Sequence, residues 1–149
     1  MNCKPIIVVA GEPYSIFLEI FFKTKKKCIF KKPIILIASK KLVYLQMKKL
    51  GFNFDLNLIN LDKLDLKSLK KNQINLIDVN FKFNKIFDKI SDKSNSYINK
   101  SFDIALKILK EENCSGLING PISKKYFLKG KSLGITEYLA KKLKIITML

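Results

Sequence analysis

Three short runs of branched apolar residues, at positions 6–10, 34–38 and 74–79, constrain the fold of this chain more than any other feature. Each is too brief for a helix, and the first two are apolar at successive positions rather than alternate ones, the pattern of a strand buried on both faces; the third, interrupted by Asn75 and Asp78, resembles another strand. Between them lie stretches with helical spacing. The first run closes on Gly11-Glu12-Pro13, and a helix is expected over residues 14–23, followed by a solvated lysine-rich connection, 23–32. Pro33 opens the second run, after which Ser39 caps a helix carrying Leu42, Tyr44, Leu45 and Leu50 that Gly51 ends.

Residues 56–59 read as a further strand and 60–72 as loop or short helix, while 82–95, rich in Lys, Asp, Asn and Ser, reads as a surface excursion. Ile98, Phe102, Ala105, Leu106 and Leu109 then form a continuous apolar stripe at helical spacing. It leads into a strand over 114–119. A helix beginning near Ser123, a glycine-bounded loop from Gly130 to Gly134 and a helix over 136–143 complete the order. Strands alternating with helices require helical crossovers, so the fold class is α/β, a doubly wound and mostly parallel sheet. The last five residues, 145–149, form an apolar strand-like run with no turn after it. They suggest a chain truncated at its C-terminus, with residues 1–149 as the N-terminal part of a longer α/β protein.

Composition removes whole classes of function. Histidine is absent from the 149 residues, which excludes Ser-His-Asp and Cys-His catalysis and histidine-ligated metals within this chain. Cys3, Cys28 and Cys114 are odd in number and widely spaced, so neither a disulfide framework nor a zinc site is indicated, and a reducing cytoplasm fits. No run approaches the roughly 20 apolar residues of a membrane span. The formal charge is +17, yet every basic residue is lysine. By itself such a charge suggests nucleic acid or an anionic membrane surface, but phosphate-gripping surfaces generally include arginine, whose planar fork binds bidentately, so the lack of arginine argues against nucleic acid as the partner.

The candidate site comprises two loops. In Asn119-Gly120-Pro121-Ile122-Ser123-Lys124, Gly120 permits close backbone approach, Pro121 fixes the turn, Ser123 can cap a helix, and Lys124 sets a positive charge beside exposed amides. Those parts suit a phosphorylated or carboxylate substrate, although a capped helix with a solvated lysine has the same sequence. In Gly134-Ile135-Thr136-Glu137-Tyr138-Leu139-Ala140, the Thr136 hydroxyl can cap the last helix or bond a substrate, and Ile135 can only pack. Neither Gly-x-Gly-x-x-Gly nor a P-loop is present.

Taken in order, these segments resemble the 4-hydroxythreonine-4-phosphate dehydrogenases of vitamin B6 synthesis. Gly11-Glu12-Pro13 stands where that family has Gly-Asp/Glu-Pro-Ala-Gly-Ile-Gly-Pro-Glu, with Glu19 at the last acid and both inner glycines lost. The helix from Ser96 to Leu109, the Gly120-Pro121-Ile122-x-Lys124 loop and Gly134-x-Thr136-Glu137-x-Leu139-Ala140 follow, with Ile135 in place of the family histidine. The resemblance implies NAD(P)-dependent oxidation of 4-phosphonooxy-threonine with a divalent metal, by a cytoplasmic homodimer. It places Thr136 and Ile135 at the substrate, beside the Gly120 and Lys124 that the loop chemistry already assigns there, and puts the metal-binding, main cofactor-binding and phosphate-binding basic residues beyond position 149, so that this chain alone is an incomplete catalyst. The competing reading is a small non-catalytic basic α/β protein that binds an acidic partner or nucleic acid.

Overall fold

The computed structural model describes residues 4–111 and 114–144; Cys3 and the apolar run 145–149 lie outside the described residues. Five strands form one parallel sheet in the order β3-β4-β2-β1-β5: β1 (Ile6–Val9), β2 (Ile34–Ala38), β3 (Leu56–Leu58), β4 (Ile74–Asp78) and β5 (Gly116–Asn119). In register, Ile7 lies between Ile35 and Leu117, and Val9 between Ile37 and Asn119. Among the described residues four α-helices, α1 (Phe17–Lys27), α2 (Lys40–Lys49), α3 (Asn95–Glu111) and α4 (Ile135–Leu143), accompany the sheet.

Strand geometry sends successive side chains to opposite faces, and both faces are apolar. Val8, Ala10, Leu36 and Ala38 pack with Leu18, Phe21 and Phe22 of α1 and Val43 and Met47 of α2. Ile7, Val9, Ile35, Ile37 and Ile77 meet Tyr97, Ile98, Phe102, Ala105 and Ile108 of α3 on the other face. This two-sided burial explains why β1 and β2 are apolar at every position. Among the described residues no helix is long and apolar enough to cross a membrane.

Several boundaries differ from the sequence reading. Residues 13–16 form a turn in which the Ser15 hydroxyl accepts from the Phe17 amide at 3.3 Å, so α1 starts later than expected. It then continues through Lys25, Lys26 and Lys27, half of what reads as a connection. Lysine is a good helix former, it opposes the negative end of the helix dipole, and Lys23 pairs with Glu19 one turn earlier at 2.5 Å. Ser39 does cap α2, accepting from the Leu42 amide at 3.4 Å, and Gly51 takes φ +76° just past its end. The helix expected near Ser123 is a single π-type turn, Lys124–Leu128, stopped by Lys129 in the left-handed region. Its cap is still Ser123, whose Oγ accepts from the Tyr126 amide at 3.1 Å.

Candidate functional site

The chain leaves β1 toward β2 on one side, while β5 pairs on the other. The topological switch point therefore lies between the carboxyl ends of β1 and β5, the place where open α/β sheets bind ligands. Gly11-Glu12-Pro13 and Gly120-Pro121 meet there. The Glu12 amide donates to the Pro121 carbonyl at 2.8 Å, and the Gly120 amide to the Val9 carbonyl at 2.7 Å. A Cβ on Gly120 would sit 2.0 Å from the Ala10 carbonyl oxygen, and one on Gly11 would sit 2.4 Å from that of Pro121. The two glycines let the loops lie backbone to backbone, so the group that closes on Gly120 in this structure is Ala10.

Glu12 fills the junction and is only 2% exposed. Its Oε1 accepts from the Ser123 amide at 3.2 Å and its Oε2 from the Ser94 hydroxyl at 2.9 Å. One carboxylate thus joins the β1–α1 turn, the entry to α3 and the cap of the Lys124 turn. From sequence only the position of Glu12 in a strand-to-helix turn was visible; its partners lie 82 and 111 residues away. Gln46 supports the same turn from α2, its Nε2 donating to the carbonyls of Pro13 and Ile86 at 3.0 Å each.

Burial pushes the Glu12 carboxyl above the ordinary carboxylate range, and the hydrogen bonds from Ser94 and Ser123 only partly oppose this. Ser94 Oγ also lies 3.0 Å from the Ser91 carbonyl, so its single proton faces two acceptors. A protonated Glu12 removes the conflict by donating to Ser94, which then donates to Ser91. With the folded pKa raised, the contribution of Glu12 to stability is complete below its unfolded pKa, about 4.3. It is lost as pH rises through the folded value. Glu12→Gln, which supplies that donor permanently, is expected to gain thermal stability relative to the unmodified chain between pH 4 and pH 7. A difference in melting temperature that stays constant over this range would show that Glu12 ionises as readily folded as unfolded.

The second loop is held beside the first by aromatic contacts. Tyr138 of α4 meets Phe127 of the Lys124 turn edge-on at 5.0 Å, and both rings pack on Phe102 of α3, at 5.6 and 6.5 Å. Ile135 is half-buried against the same core. Gly134 is the N-cap of α4 and has no side-chain cap; instead the Glu137 carboxylate reaches back to accept from the Leu133 amide at 2.6 Å. Hydrogen bonds from Lys141 and then from Leu133 hold the Glu137 carboxyl below the ordinary range. Thr136 is exposed at the second helical position, and among the described residues its hydroxyl makes no hydrogen bond, so it does not cap α4. Lys124 is likewise exposed.

These residues do not suit a resident metal or dinucleotide. Among those described, no three of His, Cys, Asp and Glu come together to hold an ion. A buried carboxylate occupies the β1–α1 turn where a pyrophosphate would need glycine-lined amides, and charge and space both oppose it.

The family described as "Pyridoxal phosphate biosynthetic protein PdxA" matches residues 30–149. The chain belongs to that family. No curated protein matches it in sequence. Among solved structures, it is similar to a 4-hydroxythreonine-4-phosphate dehydrogenase from Burkholderia phymatum, with TM-score 0.77 and 15% identity over 97% of this chain and 45% of that one. It is also similar to the 4-hydroxythreonine-4-phosphate dehydrogenase from Klebsiella pneumoniae, with TM-score 0.75 and 18% identity over 93% of this chain and 44% of that one. At such identities the likeness shows the fold, which agrees with the parallel sheet expected from sequence. The PdxA-family chain spans less than half the length of the structures it matches.

Proposed function

We propose that this chain is the substrate-holding N-terminal part of an NAD(P)-dependent oxidoreductase acting on 4-phosphonooxy-threonine in pyridoxal phosphate synthesis. Membership of the PdxA family is the observation that carries the reading. The position of the Gly120–Lys124 loop at the switch point supports it, as does the aromatic tether that keeps the Thr136 loop alongside. Lys124 supplies positive charge for an anionic end of the substrate. Thr136 offers a hydroxyl that its own helix does not use, and Gly120 sets the path of the loop that presents Lys124. Ile135 anchors the second loop by packing, without the charge or hydrogen bond that a histidine would bring. Metal and nicotinamide are held mainly by residues outside this sequence, so hydride transfer is not a property of these residues alone.

Calorimetric titration of the 149-residue chain with 4-phosphonooxy-threonine tests this reading. Thr136→Val and Lys124→Ala are each expected to weaken binding by about 1–3 kcal/mol, roughly 5- to 150-fold, the usual cost of losing a hydrogen bond or charge contact to an ionised partner. Because both side chains are exposed and Thr136 caps nothing, the melting temperature should hold. Unchanged affinity in both variants would remove these residues from the site. Binding to oligonucleotides but not to the amino-acid phosphate would favour the basic binding protein instead.

A further inference from the structure

A second cleft opens past the carboxyl ends of β1 and β4, lined by Tyr14 after β1 and by residues from Phe81 to Ser94 after β4. Its volume is about 460 Å³, within the range of small-molecule sites, and its walls come from the β1–α1 turn and the segment 81–94 that leads into α3. Tyr14, Phe81 and Phe83 form an aromatic floor, with Tyr14 edge-on to Phe81 at 5.9 Å and Phe83 stacked on Phe81 at 6.0 Å. Phe81 is buried and also packs on Tyr97 at 5.0 Å, which fixes the floor to the core.

Lys82, Lys89 and Lys93 stand around this floor, and among the described residues none of the three is in an ion pair. Asp88 is the single carboxylate of the lining, and one of its oxygens already accepts from the Lys89 amide at 2.8 Å. Three ammonium groups against one carboxylate, beside stacked rings, call for a ligand with a dense negative charge at one end and a planar apolar face at the other. The positive end of α3, which begins just after Lys93 and Ser94, adds to the attraction. Carboxyl ends of parallel strands are also the edge at which this architecture binds small molecules.

We propose that this cleft binds a phosphate monoester carried on a planar ring, the phosphate held among Lys82, Lys89 and Lys93 and the ring laid against Tyr14, Phe81 and Phe83. Ring and charge are both needed, because lysines are spread over the whole surface and phosphate alone has no reason to prefer this cleft. The proposal does not depend on the role of residues 120–137.

The test is an amide-resolved NMR titration of the 149-residue chain with phenyl phosphate, with inorganic phosphate as the comparison and adenosine 5′-monophosphate as a larger ring. Phenyl phosphate is expected to shift the amides of residues 81–94 and of Tyr14 saturably, at least tenfold more tightly than inorganic phosphate. Saturable shifts of the same amides by adenosine 5′-monophosphate would identify a nucleotide as the natural source; phenyl phosphate alone would indicate a single-ring phosphate. Replacing all three lysines by alanine should abolish the response at an unchanged melting temperature, since all three are exposed. Phe83→Leu should bring phenyl phosphate down to the affinity of inorganic phosphate. Shifts scattered over the lysine surface without saturation, equal affinity for the two phosphates, or an undiminished response in the triple-lysine variant would each overturn the proposal.

Discussion

Gly120→Ala is expected to cost this fold about 3 kcal/mol or more. An added Cβ would meet the Ala10 carbonyl oxygen at 2.0 Å and the Phe17 ring at 2.9 Å. The first of these is main chain, so relief requires β5 to move away from β1 at the end where the Gly120 amide bonds the Val9 carbonyl. Overpacking ordinarily costs 1–3 kcal/mol, and a clash with backbone that cannot rotate aside belongs at or beyond the top of that range. Domains of this kind retain only about 5–15 kcal/mol in total. Gly134→Ala is the matched control: an added Cβ meets nothing within 4 Å, and loss at an N-cap should be about 1 kcal/mol at most. Urea denaturation of the two variants measures both. Equal midpoints would mean that the backbone contact at the switch point is not as tight as described.

Phe102→Ala should be the most damaging of the core truncations, at about 3–5 kcal/mol. Phe102 is fully buried on α3, and its ring is the shared surface on which Phe127 and Tyr138 rest. Removing it takes away transfer energy and leaves a cavity under both candidate substrate loops. Stability and 4-phosphonooxy-threonine affinity should therefore fall together. Ile98→Ala supplies the comparison, since Ile98 is equally buried on the same helix but makes no ring contact with either loop. It should lower stability while leaving affinity nearly intact. A Phe102→Ala loss below about 1 kcal/mol would show that the aromatic cluster does not hold the loops.

The architecture was legible because it rests on local signals. Branched runs at 6–10, 34–38 and 74–79, the Ser39 cap and the stripe from Ile98 to Leu109 each carry their own period, and each became the expected element. The extension of α1 through Lys27 was missed because a lysine run resembles a solvated connection; the Glu19 to Lys23 spacing was the available clue. The Ser123 turn could be recognised by its cap, but five residues do not show whether a helix will continue. Glu12 marks the limit of sequence reading. Its acid is easily placed in a turn, yet its burial and raised pKa depend on Ser94 and Ser123, which only the folded sheet brings to it. At Gly120 the need for close approach was legible, whereas the identity of Ala10 as the approaching group was not.

The central claim is that the Gly120–Lys124 loop and the Thr136 loop hold the substrate together. Amide-resolved NMR titration of the isotope-labelled chain with 4-phosphonooxy-threonine tests it most directly. Saturable shifts are expected that converge on residues 120–126 and 134–137 with a single dissociation constant, with no comparable change at residues 81–94. Shifts confined to other surfaces, or two loops responding with unrelated affinities, would contradict it.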